Sequence, residues 1–231
     1  MPHPFWQDRR ALVTLGPTRA YIDPVRYLAN VSSGRLGTAI AEALLSAGAV
    51  VDVIAGEGAV HPRPAERLAL HPIATVEELV RTVHRLAERP HPDVILHLMA
   101  VLDYQPAAPA KHKLPSGAGR LTLELAPTPK VIDAMRLLFP AAFLVGFKLQ
   151  SGVSDEALFA EARALLARSR ADAVVCNLLE ETEPHNHRAW LLDASGAPVG
   201  DQSWRGKEEI ARRLVETLPQ LAVHKEARHA R

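Results

Sequence analysis

Short apolar runs recur along the chain, each followed by a stretch whose apolar residues fall at helical spacing, and few folds accommodate that alternation. The runs Ala11–Leu15, Val50–Ile54, Asp93–Met99, Ala142–Leu149 and Ala171–Leu178 read as buried strands. Between them lie helical patterns over Thr38 to Ala47, Thr75 to Glu88, Ser154 to Arg168 and Lys207 to Leu218, with another helix opening at Thr128–Pro129. Thr75 and Glu78 stand at capping-box spacing. Leu68–Leu70 reads as a short edge strand, Leu121–Leu125 as a half-exposed strand, and Arg188–Leu192 as one limb of a hairpin turned at Ser195–Gly196. Strands buried on both faces and separated by helices predict an α/β fold, Rossmann-like, with a mostly parallel sheet and helices on both faces.

Composition sets the outer bounds. A chain of 231 residues, 48% hydrophobic and 23% charged, suffices for a well-buried core. We find no internal repeat or linker, which predicts one domain over 1–231, with its core at about 11–218 and a loosely ordered tail at 219–231. A formal net charge of +1 argues against a nucleic-acid coat or a membrane-surface protein. The single cysteine, Cys176, lies in an apolar run and reads as a buried, inert thiol. Neither a signal-peptide pattern nor a span-length apolar run is present, so a cytoplasmic location is expected.

Parallel sheets bind ligands beyond the carboxyl ends of their strands. Three loops fall there: Gly16 to Gly37, Val101 to Arg120, and Phe147 to Val153. The first, roughly twenty residues read as irregular, is long for a mere connection. It ends in Ser32–Ser33–Gly34–Arg35–Leu36–Gly37 immediately before a helix. Hydroxyls, glycines and a guanidinium at a helix N-terminus suit an oxyanion, and capping by Ser32 or Ser33 is the equal alternative. Gly34 to Gly37 does not complete a dinucleotide fingerprint, and Gly200 to Lys207 is not a P-loop. His185–Asn186–His187 reads as a surface turn rather than a metal site.

The run Gly16–Pro17–Thr18–Arg19, followed by Ile22 through Gly37, resembles the signature of phosphopantothenoylcysteine synthetases, also called phosphopantothenate–cysteine ligases. The likeness continues through Met99–Tyr104, His112–Leu114, Thr128–Lys130, Gly146–Leu149 and Val175–Asn177, from about residue 11 to about 218. It implies a ligase of coenzyme A biosynthesis. Such an enzyme activates 4′-phosphopantothenate as an acyl-nucleotidylate with CTP or ATP and Mg2+, releases pyrophosphate, and lets cysteine displace the nucleotide. By this resemblance Gly16, Ser32, Ser33, Gly34, Arg35 and Gly37 cradle phosphates, and Asp103, Phe147 and Lys148 contact the nucleotide. Asn30 handles the acyl intermediate, Arg26 holds an anionic group, and Lys113, or Lys111 two residues earlier, meets the triphosphate.

The family's common fusion to a flavin-dependent decarboxylase has no counterpart here, so flavin is not expected, and the monofunctional branch fits best. A homodimer is implied. The chain departs from the family pattern at Leu102, Gln150–Ser151 and Leu178, positions that bear on nucleotide selectivity and activity. Two other functions compete: a non-catalytic nucleotide-binding paralogue, and a dinucleotide-dependent reductase on the same fold.

Overall fold

Alternate residues of the first strand feed two different layers of helices, and this dictates the architecture. In the computed structural model, which describes residues 3–115, 117, 119–182 and 187–229, β1 spans Arg10–Leu15. Ala11, Val13 and Leu15 pack toward α1 (Arg35–Ala47) and α5 (Lys207–His229), where Ile40, Leu44, Ile210 and Leu214 are wholly buried. Leu12 points the other way, into a layer built from α2 (Val76–Ala87), α3 (Val131–Leu138) and α4 (Asp155–Ser169). Each fully buried leucine or isoleucine contributes about 2 kcal/mol on transfer grounds.

The remaining strands of the main sheet are β4 (Val50–Gly56), β5 (Leu68–Ile73), β6 (Val94–His97), β9 (Phe143–Gln150), β10 (Ala173–Leu178), β11 (Arg188–Asp193) and β12 (Trp204–Arg205). Their order is β12-β11-β10-β9-β6-β1-β4-β5, parallel from β5 to β10, with β11 and β12 antiparallel at one edge. The chain moves outward from β1 through β4 to β5, then returns to place β6 on the other flank of β1. That reversal makes β1/β6 the switch point, where doubly wound sheets open a crevice. The fold is the predicted Rossmann-like α/β class. Among the described residues no helix is long and apolar enough to cross a membrane.

Several local expectations change. The Gly16–Gly37 segment is not irregular, because β2 (Arg19–Asp23) and β3 (Arg26–Ala29) pair as an antiparallel hairpin. Tyr21 meets Tyr27 edge-on at 5.9 Å, and the Arg19 guanidinium lies 4.3 Å over the Tyr27 ring. Helix α1 begins at Arg35, not Thr38, because Gly34 turns the chain at φ 73°. Of the predicted half-exposed strand Leu121–Leu125 only Leu125 is extended, opening β8 (Leu125–Pro127), which pairs with β7 (Tyr104–Pro106). Pro129 lies before α3 rather than inside it.

The turn at Ser195–Gly196 is present, organised by the Asp193 carboxylate accepting from the N–H groups of Ser195 and Ala197. Its return limb is a single Leu192–Pro198 bridge. Helix α5 passes Leu218 and Pro219, so the expectation of a loose tail fails through Lys225. Ala222 is buried, and the Lys225 ammonium donates to Asp172 at 2.9 Å and to the Ala142 carbonyl at 2.8 Å.

The capping box of α2 forms as read, with Thr75 accepting from the Glu78 N–H and the Glu78 carboxylate returning to the Thr75 N–H. Cys176 is wholly buried, and desolvation, seconded by the Asp155 charge, pushes its thiol up to about 12.

Candidate nucleotide site

At the switch point the chain leaves β1 through Gly16, whose φ of 80° and crowding by Ala59 exclude a side chain. The Gly16 carbonyl accepts from the Ala100 N–H at 2.9 Å, locking the exits of β1 and β6 together. Beneath them Thr14, fully buried, accepts from the Met99 N–H at 3.2 Å, and its hydroxyl lies 2.8 Å from His97 Nδ1.

The hairpin β2–β3 returns the chain to Ser32–Ser33–Gly34 and into α1. Among the described residues no side chain caps α1, and no acidic residue occupies its first turn, so its opening N–H groups and the positive end of its dipole are available to a ligand. The capping alternative for Ser32 and Ser33 is thereby overturned. The Ser33 carbonyl accepts from the Val60 N–H at 2.9 Å, and Thr38 donates to the Val60 carbonyl at 2.6 Å, pinning this loop to the segment after β4. Gly37 is buried. A Cβ there would stand 2.5 Å from the Leu15 Cβ, so this glycine serves the close approach of helix to strand.

These elements enclose a cavity of about 430 Å³. Gly16, Ser32, Ser33, Gly34, Arg35 and Gly37 line it, as does Phe147 from β9. Residues that sequence reasoning did not place there join them: Leu98–Ala100, Asn177, His187 and Lys207. A roomier groove of about 760 Å³ runs beside β12 between Trp190 and Arg213, but it lies at the antiparallel edge, away from the switch point. We therefore place the site by strand ends and free backbone donors, not by volume.

Lys148 does not face the cavity. Strand alternation sends it to the opposite side, where its ammonium pairs with Glu161 at 2.9 Å.

Asn30, Asp103, Arg26 and Lys113 do not line the cavity, although Asn30 adjoins Val31 in its wall. Asn30, exposed just after β3, donates its side-chain amide to the Val101 carbonyl at 3.1 Å. Thr18 accepts from the Leu102 N–H at 2.9 Å, and Thr128 donates to the Leu102 carbonyl. Asp103 pairs with Lys130 and is exposed. Three side chains from three parts of the chain thus hold the loop leaving β6.

Arg26 and Asn30 sit four residues apart on an extended strand and its continuation. The Arg26 guanidinium donates to the Leu114 carbonyl at 3.1 Å. Asp23, buried and unanticipated, accepts from the N–H groups of Val25, Arg26 and Leu114. Burial alone would raise the Asp23 pKa. The backbone donors of Val25, Leu114 and Arg26, with the Arg26 charge, outweigh that and hold it below the usual carboxylate value. Asp23 and Arg26 together fix Leu114 and present Lys113, which is exposed and makes no ion pair among the described residues. The only sequence signal was a carboxylate before proline in a tight turn.

The fold and site define a class: a doubly wound α/β domain with an anion-receptive helix terminus at its switch point. The chain belongs to the DNA/pantothenate metabolism flavoprotein C-terminal domain family, whose model matches residues 6–221. It is 40% identical over 215 residues to the coenzyme A biosynthesis bifunctional protein CoaBC of Thermococcus kodakarensis, covering 93% of this chain and 52% of that protein. The chain thus spans about half the length of the curated relatives it matches. The crystal structure of the DNA/pantothenate metabolism flavoprotein from Streptococcus pneumoniae superposes with a TM-score of 0.83 at 31% identity, covering 92% of this chain and 99% of that one. A Cab2 mutant in complex with phosphopantothenate-cysteine shares the fold at a TM-score of 0.75 and 19% identity, covering 94% of this chain and 89% of that one.

Proposed function

We propose that this chain is a phosphopantothenate–cysteine ligase acting in coenzyme A biosynthesis. The observation that carries the reading is the uncapped N-terminus of α1 opening into a cavity at the β1/β6 switch point, with Asn30 held on the loop that leaves β6. The name of the Thermococcus kodakarensis relative supports the pathway, and the ligand held by Cab2 supports the substrate class.

In this reading the triphosphate of CTP or ATP lies against Ser32–Gly37, its charge met by free N–H groups, the helix dipole and Arg35. Mg2+ enters on the phosphate oxygens as part of the nucleotide substrate. The 4′-phosphopantothenate carboxylate attacks the α-phosphorus, the bond to the bridging oxygen breaks, and pyrophosphate leaves. The chain's contribution is to hold two anions together and neutralise the charge that would separate them, a positioning task. Lys113 supplies a cation at that junction, with Asp23 and Arg26 setting its loop. Asn30 directs its amide at the acyl carbonyl, polarising it without adding a charge. The cysteine amine then attacks the acyl carbon and expels the nucleoside monophosphate.

The test is incubation with 4′-phosphopantothenate, cysteine, Mg2+ and either CTP or ATP, with pyrophosphate and product mass as readouts. Cysteine-dependent product with one nucleotide is expected. Its absence with every nucleotide overturns the reading in favour of a binding paralogue.

A further inference from the structure

One side chain in the cavity wall has no use inside the protein. His187 is 5% exposed and lines the same cavity as Gly16 and Phe147; both of its ring nitrogens are buried, and neither has a hydrogen-bond partner among the described residues. Buried polar atoms are nearly always paired, and an orphaned imidazole offering both a donor and an acceptor calls for an explanation. Desolvation, reinforced by the nearby Lys207 charge, pushes this imidazole down to about 4, so it is neutral near pH 7.

The backbone that follows the ring is held in place. The His187 carbonyl accepts from the Gly206 N–H at 2.7 Å. The next residue, Arg188, is clamped by Asp155 at 2.7 and 2.8 Å and by Glu181 at 2.7 Å. His187 thus stands at the held start of β11, with its ring in the cavity wall.

Sheet order says what the ring would meet. The cavity follows the strand ends from Gly16 on β1, past Leu98 after β6 and Phe147 on β9, to Asn177 on β10 and His187 before β11. Four inter-strand steps of about 4.8 Å separate β1 from β11, roughly 19 Å in all. That distance suits a nucleoside triphosphate laid along the crevice. Phe147, Leu149 and Leu179 line the intervening wall with apolar surface suited to a flat ring. Asn177, mostly buried, adds an amide at the same end.

We infer that His187 is the specificity-determining residue for the nucleotide, hydrogen-bonding the edge of the heterocyclic base while the phosphates occupy the α1 terminus. This rests on the nucleotide-binding reading proposed above. One nitrogen of a neutral imidazole can pair with one group of such an edge; cytosine and adenine present an exocyclic amine beside a ring acceptor, whereas guanine and uracil present a carbonyl beside a ring N–H. A site built to pair such an edge loses selectivity when its own polar group is removed.

The test titrates the whole protein with CTP, ATP and base-free inorganic tripolyphosphate, each with Mg2+, comparing wild type, His187→Leu and His187→Gln. His187→Leu should weaken the preferred nucleoside triphosphate by about tenfold while leaving tripolyphosphate affinity and melting temperature unchanged. His187→Gln, which keeps a donor and an acceptor, should recover most of that loss. Equal weakening of nucleotide and tripolyphosphate, or no weakening of either, overturns the inference.

A second measurement needs no stable leucine variant. In the wild type, nucleotide should shift the His187 ring 15N resonances, and tripolyphosphate should not. Saturating nucleotide that leaves those resonances in place overturns the inference while the ligase reading stands. A wild type that binds none of the three ligands overturns both.

Discussion

The side-chain amide of Asn30 donates to the Val101 carbonyl across 3.1 Å, joining the end of the β3 strand to the loop that leaves β6. One of its two amide hydrogens is thereby spent on orientation, and the group is held where the β1 and β6 exits converge. The same contact explains how an exposed asparagine keeps a fixed direction next to the cavity wall. Thr18 and Thr128 hold the adjoining peptide from the other side, so the three contacts act on one short loop.

Asn30→Ala should therefore lower kcat by about 100-fold, the scale of removing one donor from a developing oxyanion. Nucleotide affinity should stay within about twofold, because the alanine removes no group from the α1 cradle. Steady-state kinetics paired with calorimetric nucleotide titration separates the two quantities. Collapse of nucleotide binding would make Asn30 a structural residue.

Asp23 controls the neighbouring loop from beneath. Asp23→Ala should free Leu114 and speed tryptic cleavage at Lys111 and Lys113 several-fold relative to wild type, followed by mass spectrometry. Its carboxylate titrates below the usual value of 3.8 in the folded state. Its contribution to stability is thus complete above 3.8 and is lost as the pH falls through that lowered value. A cleavage pattern identical to wild type would separate Asp23 from the loop.

Gly37→Ala tests the packing of α1 on β1. The added methyl would stand 2.5 Å from the Leu15 Cβ, so the helix must shift outward, at a cost of about 1–3 kcal/mol. The first turn of α1 moves with it, so nucleotide affinity should fall together with stability. Urea denaturation alongside nucleotide titration checks the pairing, and a fully stable variant would contradict the packing account.

Two imidazoles make the fold acid-sensitive. Burial pushes both His97 and His187 down to about 4, against an ordinary 6.5 in the unfolded chain. Between those values the unfolded state binds more protons, so stability should decline as pH falls from 6.5 to 4, on the order of 6 kcal/mol for the pair. Above 6.5 both states are neutral and the effect vanishes. His97→Gln should flatten the profile measured by denaturant midpoints at pH 7 and 4.5. A wild-type midpoint that does not move across that interval would refute it.

Much of the fold was legible because its signals are local or periodic. The capping box at Thr75 and Glu78 formed as read, whereas Ser154, read as the first residue of a helix, is the cap of α4, its hydroxyl accepting from the Ala157 N–H at 3.3 Å. The β2–β3 hairpin escaped reading because its residues are half-exposed and its stabilising contacts, Tyr21 on Tyr27 and Arg19 over Tyr27, are cross-strand pairs with no periodic trace. Helix α1 was started late because a left-handed glycine N-cap carries no side chain to announce it. His185 and Asn186 lie outside the described residues, and their neighbour His187 was read with them as a surface turn although it is buried.

By itself, the sequence determined the α/β class, the strand-then-helix order and the family signature through Gly16–Gly37, since each depends on periodicity or on residues adjacent in the chain. Only the tertiary structure decided which polar groups share a cavity. It moved Lys148 to the far side of β9, set Asp23 beneath the Lys113 loop, and enclosed His187 beyond Phe147 and Asn177. The physical reason is that burial and pairing arise between strands distant in sequence, and a hydrogen-bond partner, or its absence, is a property of that assembly.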